Sequence, residues 1–207
     1  MAQFFSLHAQ QPQPRLVRQA VEILRAGGIL AFPTDSAYAL GCQVGNANAM
    51  DRIRRIRGVD ERHHFTLMCR DLSEIATYAR VDNTQYRLLK ATTPGSYTFI
   101  LEATRELPRR ILHPKRKTIG LRVPSHPLVQ ALLAELDEPL LTSTLILPGE
   151  DLPLTDPEEI RERLEHAVDL VLEAGPCGPE ATTVIDLTGG APQLMRAGRG
   201  ALEPFGL

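Results

Sequence analysis

Four short stretches of this chain set hydroxyl groups beside arginines: Pro33-Thr34-Asp35-Ser36 with Tyr38, Thr118–Arg122, Thr142-Ser143-Thr144, and Thr182-Thr183 with Arg196. Each adjoins an apolar run of strand length. Hydroxyls and planar guanidinium forks at the ends of neighbouring strands suit a small polar ligand that carries a carboxylate or a phosphate. Taken singly, the same residues are what Asx and ST turns and solvated charges are made of. The loops therefore define a candidate ligand class and nothing narrower.

Other familiar chemistries find no support. The chain has no G-x-x-x-x-G-K-S/T loop, no G-x-G-x-x-G after its first strand-like run, no H-E-x-x-H and no G-x-S-x-G elbow. His63 and His64 are adjacent and so lack the i,i+4 spacing that ligates one metal from a helix face, while His8, His113, His126 and His166 are isolated. The expectation is a site with no protein-held metal and no prosthetic group. Cys42, Cys69 and Cys177 are odd in number and never form C-x-x-C, which reads as reduced thiols in a cytoplasmic protein. No apolar run approaches the roughly 20 residues of a membrane span, and Met1–Pro14 has neither the basic start nor the apolar stretch of a secretion signal.

The elements that must carry these loops follow from periodicity. Leu16, Ala20, Val21 and Leu24 share one helical face, entered through Pro12 and Pro14 and closed by Gly27-Gly28. Further helices are expected from Asn46, with Met50, Ile53 and Ile56 inward and Arg52, Arg54 and Arg55 towards water, from the capping pair Asp71 and Glu74, over Thr84–Ala91, over Leu128–Glu135 behind Pro127, and from Asp156-Pro157. Strands read at Ile29–Phe32, Tyr38–Val44, Phe65–Cys69, Tyr97–Glu102, Thr118–Val123, Leu140–Leu145, Val168–Leu172, Thr183–Leu187 and Gln193–Arg196. Strands interleaved with helices predict a single α/β domain over residues 1–207, a twisted mixed sheet flanked by helices.

Charge is unevenly spread beneath a net of −2. Seven cations face one acid between Ala103 and Arg122, and twelve acids face two arginines between Glu135 and Glu173. Such asymmetry suits a polyanion in the first two thirds of the chain, or simply solvated faces.

The same stretches carry a recognisable pattern. Pro33–Cys42 (PTDSAYALGC) resembles the P-T-E/D-T/S-x-Y-G-L-G motif of the YrdC-like threonylcarbamoyl-AMP synthase family. Thr93–Leu101 (TPGSYTFIL), Thr118–His126 (TIGLRVPSH) and Thr182–Leu187 (TTVIDL) with Met195–Gly198 (MRAG) are similar to its later motifs, in family order, over a motif-bearing core of about residues 13–200. The resemblance implies a large concave, electropositive cavity. It also implies condensation of L-threonine, bicarbonate and ATP, with Mg²⁺, into threonylcarbamoyl-AMP for tRNA modification. Residue by residue it implies L-threonine contacts at Thr34, Ser36, Arg122, Thr142 and Thr182, and nucleotide contacts at Arg57, Thr118, Thr144 and Arg196. Arg57 and Thr144 stand at catalytic positions.

Two motif positions depart. The family K-x-R reads Arg57-Gly58-Val59, and its S-x-N reads Thr144-Leu145-Ile146. Each lost donor removes a charge-assisted hydrogen bond worth roughly 1.5–3 kcal/mol, enough to alter the synthase activity. With Arg52–Asp71 and Pro148-Gly149, these departures resemble the YciO subgroup. The alternative expectation is a protein that binds double-stranded or structured RNA, such as tRNA, through Arg52, Arg54, Arg55, Arg116 and Lys117.

Overall fold

A computed structural model of the protein describes all 207 residues, as ten strands and six α-helices. The first half runs β1 (Gln3–Ser6), α1 (Pro14–Arg25), β2 (Leu30–Phe32), β3 (Ala39–Gln43), α2 (Ala47–Arg57), β4 (Thr66–Met68), α3 (Leu72–Tyr78) and α4 (Asn83–Thr92). The second half runs β5 (Tyr97–Glu102), β6 (Thr118–Arg122), α5 (Pro127–Leu136), β7 (Leu140–Thr144), α6 (Pro157–Leu164), β8 (Leu170–Glu173), β9 (Thr183–Asp186) and β10 (Gln193–Arg196). All strands join one mixed sheet in the order β1-β8-β2-β3-β7-β4-β6-β5-β9-β10. The expected α/β class and mixed sheet are what the chain adopts.

Helix boundaries follow local chemistry. Asn46 caps α2 by accepting from the Ala49 N–H, and Gly58 closes it in the left-handed conformation at φ 62°. Asp71 caps α3 through the Glu74 N–H, but the Glu74 carboxylate turns to the Arg70 N–H at 2.6 Å, so the expected reciprocal box is only half made. The complete box belongs to α4, between Asp82 and Gln85. Strand β1 was outside the sequence expectation. Its four residues lie parallel to Leu170–Glu173, a pairing that only the folded chain supplies.

Alternation along the strands divides the sheet into two unlike faces. One face carries Tyr38, Leu40, Leu67, Phe99, Leu121, Leu141 and Ile185 into the larger hydrophobic core. On the other face, α1 and α5 pack over Leu30, Phe32, Ala39, Met68, Leu140, Leu170 and Leu172, and so cover only one half. Opposite the uncovered half the register aligns Thr142 with Thr66, Thr66 with Gly120, Gly120 with Ile100 and Ile100 with Asp186. Apart from Ile100, this row across five strands consists of small or polar residues where a second core would otherwise form.

Close packing holds β3 in this arrangement. A Cβ built at Gly41 would lie 2.7 Å from Cε1 of the fully buried Phe32 and 3.6 Å from Cγ2 of Thr142. Gly41→Ala is therefore expected to destabilise the protein by about 1–3 kcal/mol through overpacking. Urea unfolding should show a lower midpoint with an unchanged slope.

Candidate functional site

The uncovered half-face is the floor of a cavity of about 460 Å³. Arg57, Arg116, Arg122 and Arg196 line it together with His63, His64 and His113, and no Asp or Glu does. The arginines reach it from α2, β6 and β10 and from the loop before β6.

Arg122, on β6, is 5% exposed. It forms an ion pair with Asp35, and its Nη1 donates to Ser36 Oγ at 3.2 Å. Its Nε is buried without a hydrogen-bond partner. Asp35 is held in turn by Ser96 and Ser125. The sequence expectation placed a ligand carboxylate on Arg122; in the fold, a carboxylate of the chain itself already occupies part of the fork.

Thr34 differs from expectation. Its hydroxyl donates to Ala37 O at 2.7 Å and accepts from the backbone N–H groups of Ser36 and Ala37. It lies beside Ser36 Oγ at 3.0 Å and does not line the cavity. The residue is the ST-turn side chain that shapes the loop, and Ser36 is the member that faces the cavity.

Across the floor, Thr182 Oγ1 meets Thr98 Oγ1 at 2.8 Å, and Arg196 Nη2 donates to Thr182 O at 2.9 Å. Arg196 reaches the cavity through an irregularity of the β9–β10 ladder, where the register shifts between Leu194 and Arg196. This bulge lets the consecutive residues Met195 and Arg196 both line the cavity, which strict alternation forbids. At the far end Arg116 pairs with the buried Asp186 at 2.6 Å and with Thr188 at 2.8 Å. Burial would raise the Asp186 carboxyl, but hydrogen bonds from Thr188 and Arg116 hold it below its ordinary value.

On the remaining wall the sequence named Arg57, Thr142 and Thr144 but not the contacts that Arg57 makes. Arg57 Nη1 donates to Ser143 Oγ at 2.7 Å and its Nε to Ile146 O at 3.0 Å. The same Ser143 oxygen lies 2.8 Å from His63 Nε2. Burial, then the positive charge of Arg57, pushes the His63 imidazole down to about 4. His64 and His113 stack beside it with centroids 5.2 Å apart. The loop Thr142-Ser143-Thr144 was legible as a polar element, but His63 gave no signal, because its partners lie on other elements. Thr118, Thr142 and Thr144 line the cavity, and so does Ile146 at the position where the resemblance implies an amide. Val59 does not.

The five cations singled out for RNA do not form a common rim. Arg52 pairs with Asp169 at 3.0 Å and donates to Ala167 O. Arg54 is 15% exposed in its side chain, pairs with Asp51 and lies over the Phe65 ring at 5.2 Å. The expectation that α2 turns Arg52, Arg54 and Arg55 to water holds only for Arg55, because the flanks of the helix are packed by neighbouring segments. Lys117 is exposed outside the cavity lining, and only Arg116 among the five reaches it.

With this geometry in view, comparison with known proteins defines the class. The model of the Sua5/YciO/YrdC family, described as Telomere recombination, matches residues 22–198, and the chain belongs to that family. It is 57% identical over 205 residues to the "Uncharacterized protein YciO" of Escherichia coli (strain K12), covering 99% of this chain and 100% of that one. The crystal structure of E. coli YciO matches with a TM-score of 0.95 over 99% of this chain and 100% of that one. The chain is also 30% identical to the threonylcarbamoyl-AMP synthase of Coxiella burnetii (strain RSA 493 / Nine Mile phase I), over 79% of this chain and 87% of that one. P. abyssi Sua5, crystallised in complex with L-threonine, shares the fold with a TM-score of 0.86 at 23% identity, covering 94% of this chain and 57% of that one.

Two stability measurements test this wall and floor. Asp35→Ala leaves the buried Arg122 charge uncompensated and is expected to cost about 3–5 kcal/mol in chemical unfolding. For His63 the unfolded chain titrates near 6.5 and the folded one near 4. The unfolded state thus binds the extra proton between these values, and stability present above pH 6.5 declines as pH falls towards 4. Thermal melts from pH 7 to pH 5 should show a smaller loss of Tm in His63→Gln than in the wild type.

Proposed function

We propose that this cavity binds L-threonine and ATP and carries out threonylcarbamoyl-AMP chemistry in a form altered by Val59 and Ile146. The observation that carries the reading is the gathering of Ser36, Arg122, Thr142 and Thr182 with Arg57, Thr118, Thr144 and Arg196 around one acid-free cavity. All eight are positions implied by the resemblance, and of those it implied only Thr34 stays out of the lining. Synthase relatives at 30% identity support the same direction.

The division of labour follows from chemistry. Arg122, oriented by Asp35 and Ser36, supplies positive charge for the threonine carboxylate, beside the hydroxyls of Ser36, Thr142 and Thr182. Arg57 and Arg196 supply fixed positive charge for phosphates, where preorganised donors stabilise charge that develops as pyrophosphate leaves. Bicarbonate supplies the carbamoyl carbon in the condensation. No carboxylate lines the cavity, and no cluster of three His, Cys, Asp or Glu side chains could hold a metal ion. The residues do not fit a protein-held Mg²⁺, so Mg²⁺ is assigned to the nucleotide phosphates alone.

Incubation with ATP, L-threonine and bicarbonate, followed by mass detection of the adenylate, tests the reading. Wild type is expected to make it slowly, and Val59→Arg with Ile146→Asn to make it faster. A parallel incubation with preformed adenylate reads the reverse reaction and breakdown. Absence of any turnover or formation in both arms, with the fold intact by thermal melt, would falsify the assignment. Calorimetry adds a binding readout. Arg122→Lys keeps the charge and loses the fork, and should weaken L-threonine at least tenfold.

A further inference from the structure

The pairing of Ser143 with both Arg57 and His63 has a chemical logic of its own. A serine hydroxyl has one proton and two lone pairs. Arg57 Nη1 donates to one lone pair at 2.7 Å, and in the Nδ1–H tautomer of His63 the hydroxyl proton goes to Nε2 at 2.8 Å. The imidazole accepts that proton only while it is neutral. Burial keeps it so, and the charged groups around it act in the same direction: Arg57 and Arg54 from α2 and His64 from its own loop disfavour the imidazolium, against Asp60 alone. Arg196, across the cavity, bears on Arg57 in turn. The arrangement is a cluster of donors that lacks an anion.

We propose that Arg57, Ser143 and His63 form a phosphate subsite in which His63 takes up a proton as the phosphate binds. The anion neutralises the field of Arg57, and the imidazolium then donates Nε2–H to a phosphate oxygen. The Ser143 hydroxyl, released from His63, turns its proton to the same anion. The balance is simple: one proton enters from solvent, resides on His63, and leaves when the phosphate does. His63 thereby supplies a second cation beside Arg57 in a cavity where Val59 supplies none. Unlike arginine, it holds phosphate tightly in mildly acidic solution and loosely in basic solution. The proposal deepens the nucleotide reading above and rests on it for the source of the phosphate.

Titration calorimetry of the full chain with sulfate isolates the protein's own proton, because sulfate keeps its charge between pH 5 and pH 8. Two buffers of different ionisation enthalpy count the protons taken up. Wild type should bind sulfate more tightly as pH falls, by up to about tenfold per pH unit, with net proton uptake. His63→Gln should bind with a flat profile and fall well below wild type at pH 5. His64→Gln should keep the wild-type slope. AMP should compete with sulfate and L-threonine should not, which separates a phosphate subsite from a carboxylate one.

The proposal is overturned by a slope that survives in His63→Gln, a slope that disappears in His64→Gln, competition by L-threonine alone, or no sulfate binding at millimolar concentration. Thermal melts of each variant at pH 8 guard against misfolding, and His63→Asn repeats the measurement if His63→Gln fails to fold. A pH-linked sulfate affinity with no adenylate turnover would sink the enzymatic reading and leave the subsite. Adenylate turnover with a flat sulfate profile would do the opposite.

Discussion

Everything distinctive in this molecule depends on a sheet that is covered unequally. Helices α1 and α5 bury one half of a face, and the other half is left to Thr66, Thr142, Gly120 and their neighbours in the same row. Side chains that small and polar cannot form a second core, and their alignment leaves room above the sheet. The alignment is a matter of register. Shifting one strand by a residue would send Leu121 or Leu67 into the cavity and Gly120 or Thr66 into the core. The apolar face therefore fixes the polar one, since burial of Leu67, Phe99, Leu121 and Leu141 tolerates only one pairing.

On that floor the electrostatics are those of a receptor for anions. Four arginines surround a cavity into which no acid projects. Where acids do occur they stand at its edges: Asp35 behind Arg122 and Asp186 behind Arg116. Each orients a guanidinium and offsets the cost of keeping it out of water, which a buried charge cannot bear alone. Arg57 and Arg196 have no carboxylate partner and are held by the main-chain oxygens of Ile146 and Thr182. Their positive charge stays uncompensated, and burial lowers both from their ordinary value.

The departures from the synthase pattern are also local to this wall. Ile146 presents an apolar side chain to the cavity while its carbonyl fixes Arg57. Val59 sits past the left-handed Gly58 with its N–H bonded to Arg54 O, out of the lining. On this side of the cavity Ile146 presents no donor, and His63 lines the same space from the loop that follows α2.

Much of this was legible in the chain alone. The α/β class, most of the elements, the caps Asn46 and Asp156, and the four hydroxyl and arginine loops are consequences of local chemistry and periodicity, and those act within a few residues. The tertiary structure decided what depends on distant partners. It paired β1 with β8, put Thr34 into a turn behind Ser36, bulged β10 so that Met195 and Arg196 face the same space, and packed Arg54 onto Phe65. It also set Ser143 between Arg57 and His63, groups 86 and 80 positions away along the chain. A sequence states which groups are available, and at short range how they cap and alternate. Which buried donor meets which acceptor is decided by packing, because no local preference reaches across that separation.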